Sequence, residues 1–329
     1  MAKNQNSNLH SAKKQKNDEF YTQLSDIERE MQHYKQHFLG KTIYCNCDDP
    51  EWSNFFKYFA LNFEHLRLKK LVSTHFVYSD MFVEGETYKL EIVKGLDLNE
   101  DGKIDLADVV KTTLKGNGDF RSTECIEILK QADIVVTNPP FSLFREYVVQ
   151  LVDYEKKFLI IGNRNAITYK EVFRLIKEGK MWLGHEFYRG NAYFEVPEDY
   201  ANTQLIILNG RRLVKSRNCC WFTNMDYKER HENIILYKKY NEKDYPKYDN
   251  YDAIEVSKVA DIPIDYDGNM GVPVTFMDKY NPEQFELVGM GEDNGTGFSG
   301  GAWLGGSKSC LVNGKAAFKR LFIRKKRII

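Results

Sequence analysis

The sequence predicts an α/β protein: a parallel, doubly wound sheet within residues 1–204, followed by a region of different texture over 205–329. Three observations carry this. Between residues 41 and 161 short apolar runs alternate with segments of helical period, the pattern of strands joined by crossover helices. One run, Asp133-Ile134-Val135-Val136-Thr137, is apolar and β-branched, as a strand buried on both faces must be, and it stops at Asn138-Pro139-Pro140-Phe141. From Leu205 onward Arg211, Arg212, Lys215 and Arg217 cluster, tyrosines are frequent, and residues 289–306 are glycine-rich.

Taken in order, residues 41–46 (Lys-Thr-Ile-Tyr-Cys-Asn) read as a strand and Cys47-Asp48-Asp49-Pro50 as a turn. Residues 53–63 follow as a helix with Phe55, Phe56, Phe59 and Phe63 on one face. Residues 68–76 form a second strand, and Ser122 opens a short helix that turns Ile126 and Leu129 inward. After the Asn-Pro-Pro turn come a helix through Phe144, Tyr147, Val148 and Leu151 and the strand Phe158-Leu159-Ile160-Ile161.

At 329 residues the chain can bury a large core and holds two domains, or one domain with a substantial appendage. A hydrophobic content of 42%, with 14% aromatic, excludes disorder. No apolar run approaches the roughly 18 residues a membrane helix needs, so no membrane partner is expected. The N-terminus is polar and Lys-rich, unlike a signal peptide, and Cys45, Cys47, Cys125, Cys219, Cys220 and Cys310 contain no Cys-x-x-Cys pair. Reduced thiols, no zinc and a cytoplasmic location are expected. The 47 basic and 47 acidic residues balance, so nucleic-acid binding must come from local patches. Lys3, Lys13, Lys14 and Lys16 form one; Lys319, Arg320, Arg324, Lys325, Lys326 and Arg327 form another. Each is either a solubilising tail or a phosphate-contact surface, and Leu321, Phe322 and Ile323 make the second an ordered strand.

Neither proline of the Asn-Pro-Pro turn can donate to a ladder and each fixes its own φ, so the turn is rigid. Ligands of open α/β sheets bind beyond the carboxyl ends of the strands. The Asn138 amide and the Pro139 carbonyl thus offer two fixed acceptors, with the Phe141 ring beside them. Two acceptors suit the two hydrogens of an exocyclic amino group, and the ring suits the planar base that carries it. The alternative is a plain strand-ending turn.

The same tetrapeptide after an apolar strand is motif IV of the amino-group methyltransferases that use S-adenosylmethionine, and this sequence resembles their adenine-specific branch. Asp18-Glu19-Phe20-Tyr21-Thr22 looks like motif X, residues 44–50 stand in the place of motif I, and Gly118-Asp119-Phe120 in that of motif III. The order X, I, III, IV is that of the γ class, in which a target-recognition region follows the catalytic domain. Asn46-Cys47-Asp48-Asp49-Pro50, Ser53-Asn54-Phe55-Phe56-Lys57-Tyr58-Phe59, Pro246-Lys247-Tyr248-Asp249-Asn250-Tyr251 and Met270-Gly271-Val272-Pro273 extend the likeness to the EcoRI-type adenine-specific DNA methyltransferases.

The resemblance implies a Rossmann-like methyltransferase sheet in residues 1–204 and a target-recognition region in 205–329. It implies S-adenosylmethionine as cofactor and double-stranded DNA as partner, with an adenine methylated in a site like GAATTC. The enzyme would be a monomer, and a cognate restriction endonuclease would be a functional but not a physical partner. Asn138, Pro139, Pro140 and Phe141 would be catalytic, and Tyr21, Thr22, Asn46, Cys47, Asp48, Pro50, Asp119 and Phe120 would contact the cofactor. Asp119 would accept from the cofactor's adenine amino group, with Phe120 packed on that ring or in the core. The target base must leave the duplex, because a paired amino nitrogen cannot reach an electrophilic methyl group. Tyr193 or Phe194 would close the stack opposite Phe141, or belong to the core. Motif I here lacks the glycines usual in the superfamily, and the second strand ends in Ser73-Thr74-His75 with Asp80 only later, so no ribose ligand is named. The alternative substrate class is RNA or a protein glutamine, and a non-enzymatic DNA-binding or calcium-binding module is the third reading.

Residues 97–108 carry a separate signal. Oxygen side chains at loop positions 1, 3, 5, 9 and 12, glycine at 6 and isoleucine at 8 match an EF-hand calcium loop, closest to the dockerin type. The expected ligands of a structural Ca2+ are Asp97, Asn99, Asp101, Lys103, Asp105 and Asp108; the alternative is an acidic surface hairpin.

Overall fold

The computed structural model describes residues 21–47, 49–77, 86–185, 187, 192–196, 205–208, 210–216, 218–291 and 298–326. Two compact units divide the chain, the first comprising Met1–Val172 and Met181–Asp226, the second Phe173–Lys180 and Tyr227–Ile329.

The first unit begins with β1 (Tyr21–Thr22), α1 (Leu24–Met31) and α2 (Lys35–Phe38), followed by β2 (Thr42–Cys45), α3 (Asn54–Leu61) and β3 (Lys70–Thr74). Then come β4 (Tyr88–Val93), β5 (Val110–Thr113), α4 (Thr123–Gln131), β6 (Ile134–Thr137), α5 (Phe144–Asp153) and β7 (Lys157–Asn163). Past α6 (Lys170–Lys177), most of which belongs to the second unit, five short strands complete the first: β8 (Trp182–Leu183), β9 (Ala192–Glu195), β10 (Leu205–Leu208), β11 (Arg211–Ser216) and β12 (Cys219–Thr223). The Ser53 hydroxyl accepts from the Phe55 N–H at 3.3 Å and starts α3, and Ser122 does the same for Cys125 at 3.2 Å to start α4. Phe55, Phe56, Phe59 and Phe63 are all buried, as their spacing requires.

Eight strands form one sheet in the order β5-β4-β3-β2-β6-β7-β12-β8. Only β3, β2, β6 and β7 run parallel to their neighbours; β4, β5, β12 and β8 are antiparallel. The sheet is therefore mixed rather than parallel throughout. The residues agree: β2 and β6 are buried at every position, whereas β4 alternates buried and half-buried residues, the pattern of a strand with one covered face. A second, four-stranded antiparallel sheet, β1-β9-β11-β10, pairs Thr22 with Phe194 and Val214 with Phe194. By these pairings residues 205–223 join the first unit. Among the described residues no helix is long and apolar enough to cross a membrane.

The second unit holds β13 (Ile254–Glu255), β14 (Met270–Pro273), β15 (Phe285–Met290), β16 (Leu311–Val312), β17 (Lys315–Ala316) and β18 (Arg320–Lys325). Its main sheet has the order β13-β14-β18-β15, so the basic, apolar-interleaved C-terminal segment is a central strand. Tyr248, Tyr251, Ala253, Val288, Ala302, Cys310 and Phe322 form a core. Beside it Arg320 and Glu255 make a buried ion pair at 2.6 Å, and the Tyr248 hydroxyl donates to the same carboxylate.

Candidate active site

Strand β2 is the pivot of the large sheet. The chain leaves β2 through α3 and returns as β3 on one side, and leaves β6 through α5 to return as β7 on the other. The carboxyl ends of β2 and β6, paired at Ile43 with Ile134 and Tyr44 with Val135, thus open at a topological switch point, where α/β sheets hold ligands. Asn46 and Cys47 follow one strand; Asn138, Pro139, Pro140 and Phe141 follow the other. Their backbones are joined, because the Thr137 hydroxyl donates to the Asn46 carbonyl. A second link comes from α5, where the Tyr147 hydroxyl donates to the Asn46 side-chain oxygen. Tyr147 is fully buried, and burial pushes its phenol well above the ordinary range, so it remains a donor.

Cys47 has φ +73°, a left-handed conformation that glycine adopts freely and a β-carbon resists. The loop makes without glycine a turn that glycine would make without strain, with Asn46 clamped from two sides. Asp49 fixes the far end of the loop, accepting from the Tyr88 hydroxyl at 3.1 Å and the Glu51 N–H at 3.0 Å. Burial, with Asp49 beside it, raises the Tyr88 phenol above its ordinary range. Pro50 is buried.

Strand β1 reaches the same loop. Asn54, the first residue of α3, donates its side-chain N–H to the Thr22 carbonyl at 2.8 Å. The Thr22 hydroxyl is buried with no hydrogen-bond partner among the described residues, an acceptor or donor left over for a ligand. Tyr21 is half-buried. Gly118 has φ +76°, and a β-carbon there would stand 2.0 Å from the His75 carbonyl oxygen, so the turn at Gly118-Asp119 presses on the end of β3 and accepts no other residue. Asp119 is gripped by Arg121, which donates Nε to Oδ1 at 2.9 Å and Nη2 to Oδ2 at 2.7 Å. Burial alone would raise this carboxyl, but the Arg121 hydrogen bonds and charge outweigh it and hold it below the ordinary carboxylate range. Phe120 is 6% exposed and meets Tyr147 edge-on at 5.0 Å. Tyr147 thus links Phe120 to Asn46 through the core.

Asn138 and Pro139 are buried, while Pro140 and Phe141 are half-buried. A single 3-10 turn, Phe141–Leu143, follows, and Leu143 N–H donates to the Pro140 carbonyl at 3.0 Å. Of the two rings considered opposite Phe141, Phe194 is 1% exposed and belongs to the core. Tyr193 is half-buried, with the Lys215 ammonium 5.7 Å from its ring centre. Asp18-Glu19-Phe20, Asp48, Asp80 and Arg217 lie outside the described residues. Tyr147 and Thr137 were not singled out from sequence; the one available signal was a hydroxyl on the apolar face of a core helix.

The calcium expectation gains no support. Among the described residues no group of three or more His, Cys, Asp or Glu side chains is placed to hold a metal ion. The loop oxygens accept from the loop's own amides: Asp97 from Gly102 at 2.8 Å, Asn99 from Asp101 at 3.2 Å, and Asp101 from Lys103 at 2.9 Å. Asp105 accepts from Ala107 at 2.9 Å, and Asp108 from Leu98 at 2.6 Å and from Asp105 at 2.9 Å. Short polar side chains cap nearby amides at the same spacings that ligands would need.

The family described as adenine-specific methyltransferase EcoRI matches residues 8–326. Type II methyltransferase M.EcoRI of Escherichia coli is 51% identical over 337 residues, covering 100% of this chain and 99% of that protein. Type II methyltransferase M.MgeORF184P of Mycoplasma genitalium is 43% identical over 84% of each chain. Type II methyltransferase M.MpnI of Mycoplasma pneumoniae is 41% identical over 84% of this chain and 83% of its own. No solved structure matches the chain. With the Asn138-Pro139-Pro140-Phe141 turn and the clamped Asn46-Cys47 loop meeting at the switch point, and this similarity running end to end, the chain belongs to the EcoRI family of adenine-specific methyltransferases.

Proposed function

We propose that this protein transfers a methyl group from S-adenosylmethionine to the N6 amino group of an adenine flipped from double-stranded DNA, at a site like GAATTC. It would be the modification enzyme of a type II restriction-modification system, a cytoplasmic monomer whose cognate endonuclease reads the same site without binding it. The observation that carries the reading is the junction of the Asn46-Cys47 loop with the Asn138-Pro139 turn at the carboxyl ends of two adjacent parallel strands.

The residues fit the cofactor. The unsatisfied, buried Thr22 hydroxyl and the left-handed backbone at Cys47 offer a polar contact and a close approach beside one another's elements. Tyr21, Thr22, Asn46, Cys47, Asp48, Pro50 and Asp119 would hold it, with Phe120 backing Asp119 from the core. When bound it supplies an electrophilic sulfonium methyl. The chain's own task is to make the adenine amino group nucleophilic. Its lone pair is conjugated with the ring; the Asn138 side-chain oxygen and the Pro139 carbonyl, accepting its two hydrogens, would localise that pair toward the methyl, and Phe141 would stack on the base. Tyr193, the half-buried ring of β9, would close the stack. Residues 205–329 would supply recognition through phosphate and base-edge contacts.

We read the large sheet as the Rossmann-like methyltransferase sheet on the strength of its switch point. The RNA or protein-glutamine alternative has no observation behind it, since the family description is adenine-specific. The test is methyl transfer from labelled S-adenosylmethionine to GAATTC duplexes, scrambled duplexes, tRNA and a protein extract, with the modified product identified. N6-methyladenine confined to the GAATTC duplex is expected. Label in scrambled DNA would discard the specificity, and label only in RNA or protein would overturn the reading.

A further inference from the structure

Phe318 is 86% exposed, more than any other large hydrophobic side chain among the described residues. It is not on a loose tail. It follows the β16–β17 hairpin, whose two-residue turn uses Asn313 at φ +51° and Gly314 at φ +73°, the geometry that matches strand twist. The Asp249 carboxylate accepts from both turn amides, Asn313 at 3.2 Å and Gly314 at 2.7 Å. Asn250 holds the incoming strand: its side chain accepts from Leu311 at 3.0 Å and donates to the Ser309 carbonyl at 2.9 Å. Val312 and Ala317 pack on the core of the second unit, and the buried Arg320 begins β18 two residues beyond Phe318. The backbone on both sides of Phe318 is thus tied down while its ring stands in water.

The charges around it point to the partner. Nearby, Arg320 is engaged by Glu255, Arg324 by Asn269, and Lys325 by Asp267. Lys315 and Lys319, flanking Phe318, are exposed and have no carboxylate partner among the described residues. We propose that this hairpin is a contact element for duplex DNA, with Lys315 and Lys319 on phosphates and Phe318 wedged against base or sugar edges in a groove. The inference rests on the DNA reading above and adds to it a residue-level footprint that family membership does not supply.

The test uses the full chain and two variants, the double substitution Lys315→Gln/Lys319→Gln and Phe318→Ala, in anisotropy titrations with GAATTC and scrambled duplexes across a salt series. Each phosphate contact contributes about 0.9 to the slope of log K against log salt, so the double variant should lose about 1.8 of that slope. Phe318→Ala should weaken binding about tenfold with the slope unchanged. Affinity for S-adenosylmethionine should not move in either. Variants that bind DNA with wild-type affinity and slope, while the wild type makes N6-methyladenine, would overturn the hairpin's role alone. A wild type that makes none in any duplex would remove the DNA reading, and the hairpin proposal with it.

Discussion

Replacing Tyr147 by Phe removes a single hydroxyl, and the structure says where the loss will be felt. That hydroxyl is fully buried and donates to the side chain of Asn46, which is itself only 3% exposed. With the donor gone, a buried amide oxygen loses its partner, a penalty of about 1–3 kcal/mol. Asn46 also precedes Cys47, whose left-handed backbone stores about 1 kcal/mol that the clamp must hold against relaxation. If the loop stays in place, the whole penalty appears as lost stability in urea denaturation. If the loop relaxes, part of it is transferred to cofactor binding, and each 1.4 kcal/mol so transferred weakens affinity tenfold. The account predicts the second outcome: S-adenosylmethionine binding by calorimetry weakens about tenfold or more, and the turnover number at saturating cofactor changes little. A double-mutant cycle with Asn46→Ala should return a coupling of about 0.5–3 kcal/mol. Tyr147→Phe with wild-type cofactor affinity, or with a defect in turnover alone, would refute the clamp.

Three further outcomes follow from the same geometry. Cys47→Gly relieves the left-handed strain and should raise stability by up to about 1 kcal/mol in thermal or urea unfolding while keeping cofactor affinity, since the backbone shape is retained. Glu255→Gln strands the Arg320 charge in the core of the second unit and should destabilise the protein by about 3–5 kcal/mol, read from denaturant unfolding. Asp119 titrates below its ordinary 3.8, so its contribution is fully present above that value and disappears only as pH falls through the depressed one; cofactor affinity should stay flat from pH 8 to about 5. In Arg121→Gln the guanidinium's hydrogen bonds and charge are lost while the backbone amide of residue 121 still donates to Asp119, so the carboxyl rises and the loss should begin at higher pH in the same titration.

Local chemistry was legible where a residue type has one structural meaning. Prolines at 139 and 140 fixed the end of β6, serines at 53 and 122 capped α3 and α4, and the phenylalanine spacing oriented α3. Pairing between distant segments was not. Nothing in residues 219–223 announces that they run antiparallel to 157–163, or that 192–195 joins 21–22, because the partners are set by the closed core rather than by neighbouring residues. That is why the sheet read as parallel throughout, and why the compact units separate after Asp226 rather than at the change of texture near 205. At the site the turn at the end of β6 was visible in sequence, but its support was not: a tyrosine in an apolar stripe reads as packing until Asn46 is seen against it. At 97–108 the acidic spacing serves amide caps as well as it serves metal, so the pattern alone does not choose between them.

The most direct test of the account is single-turnover methyl transfer by Asn138→Ala with saturating DNA and cofactor. If the Asn138 oxygen accepts from the target amino group, the chemical step should slow by about 10²–10³-fold, while affinities for DNA and S-adenosylmethionine remain close to wild type. A variant that transfers methyl at a rate near that of the wild type would contradict the role given to the turn at the end of β6.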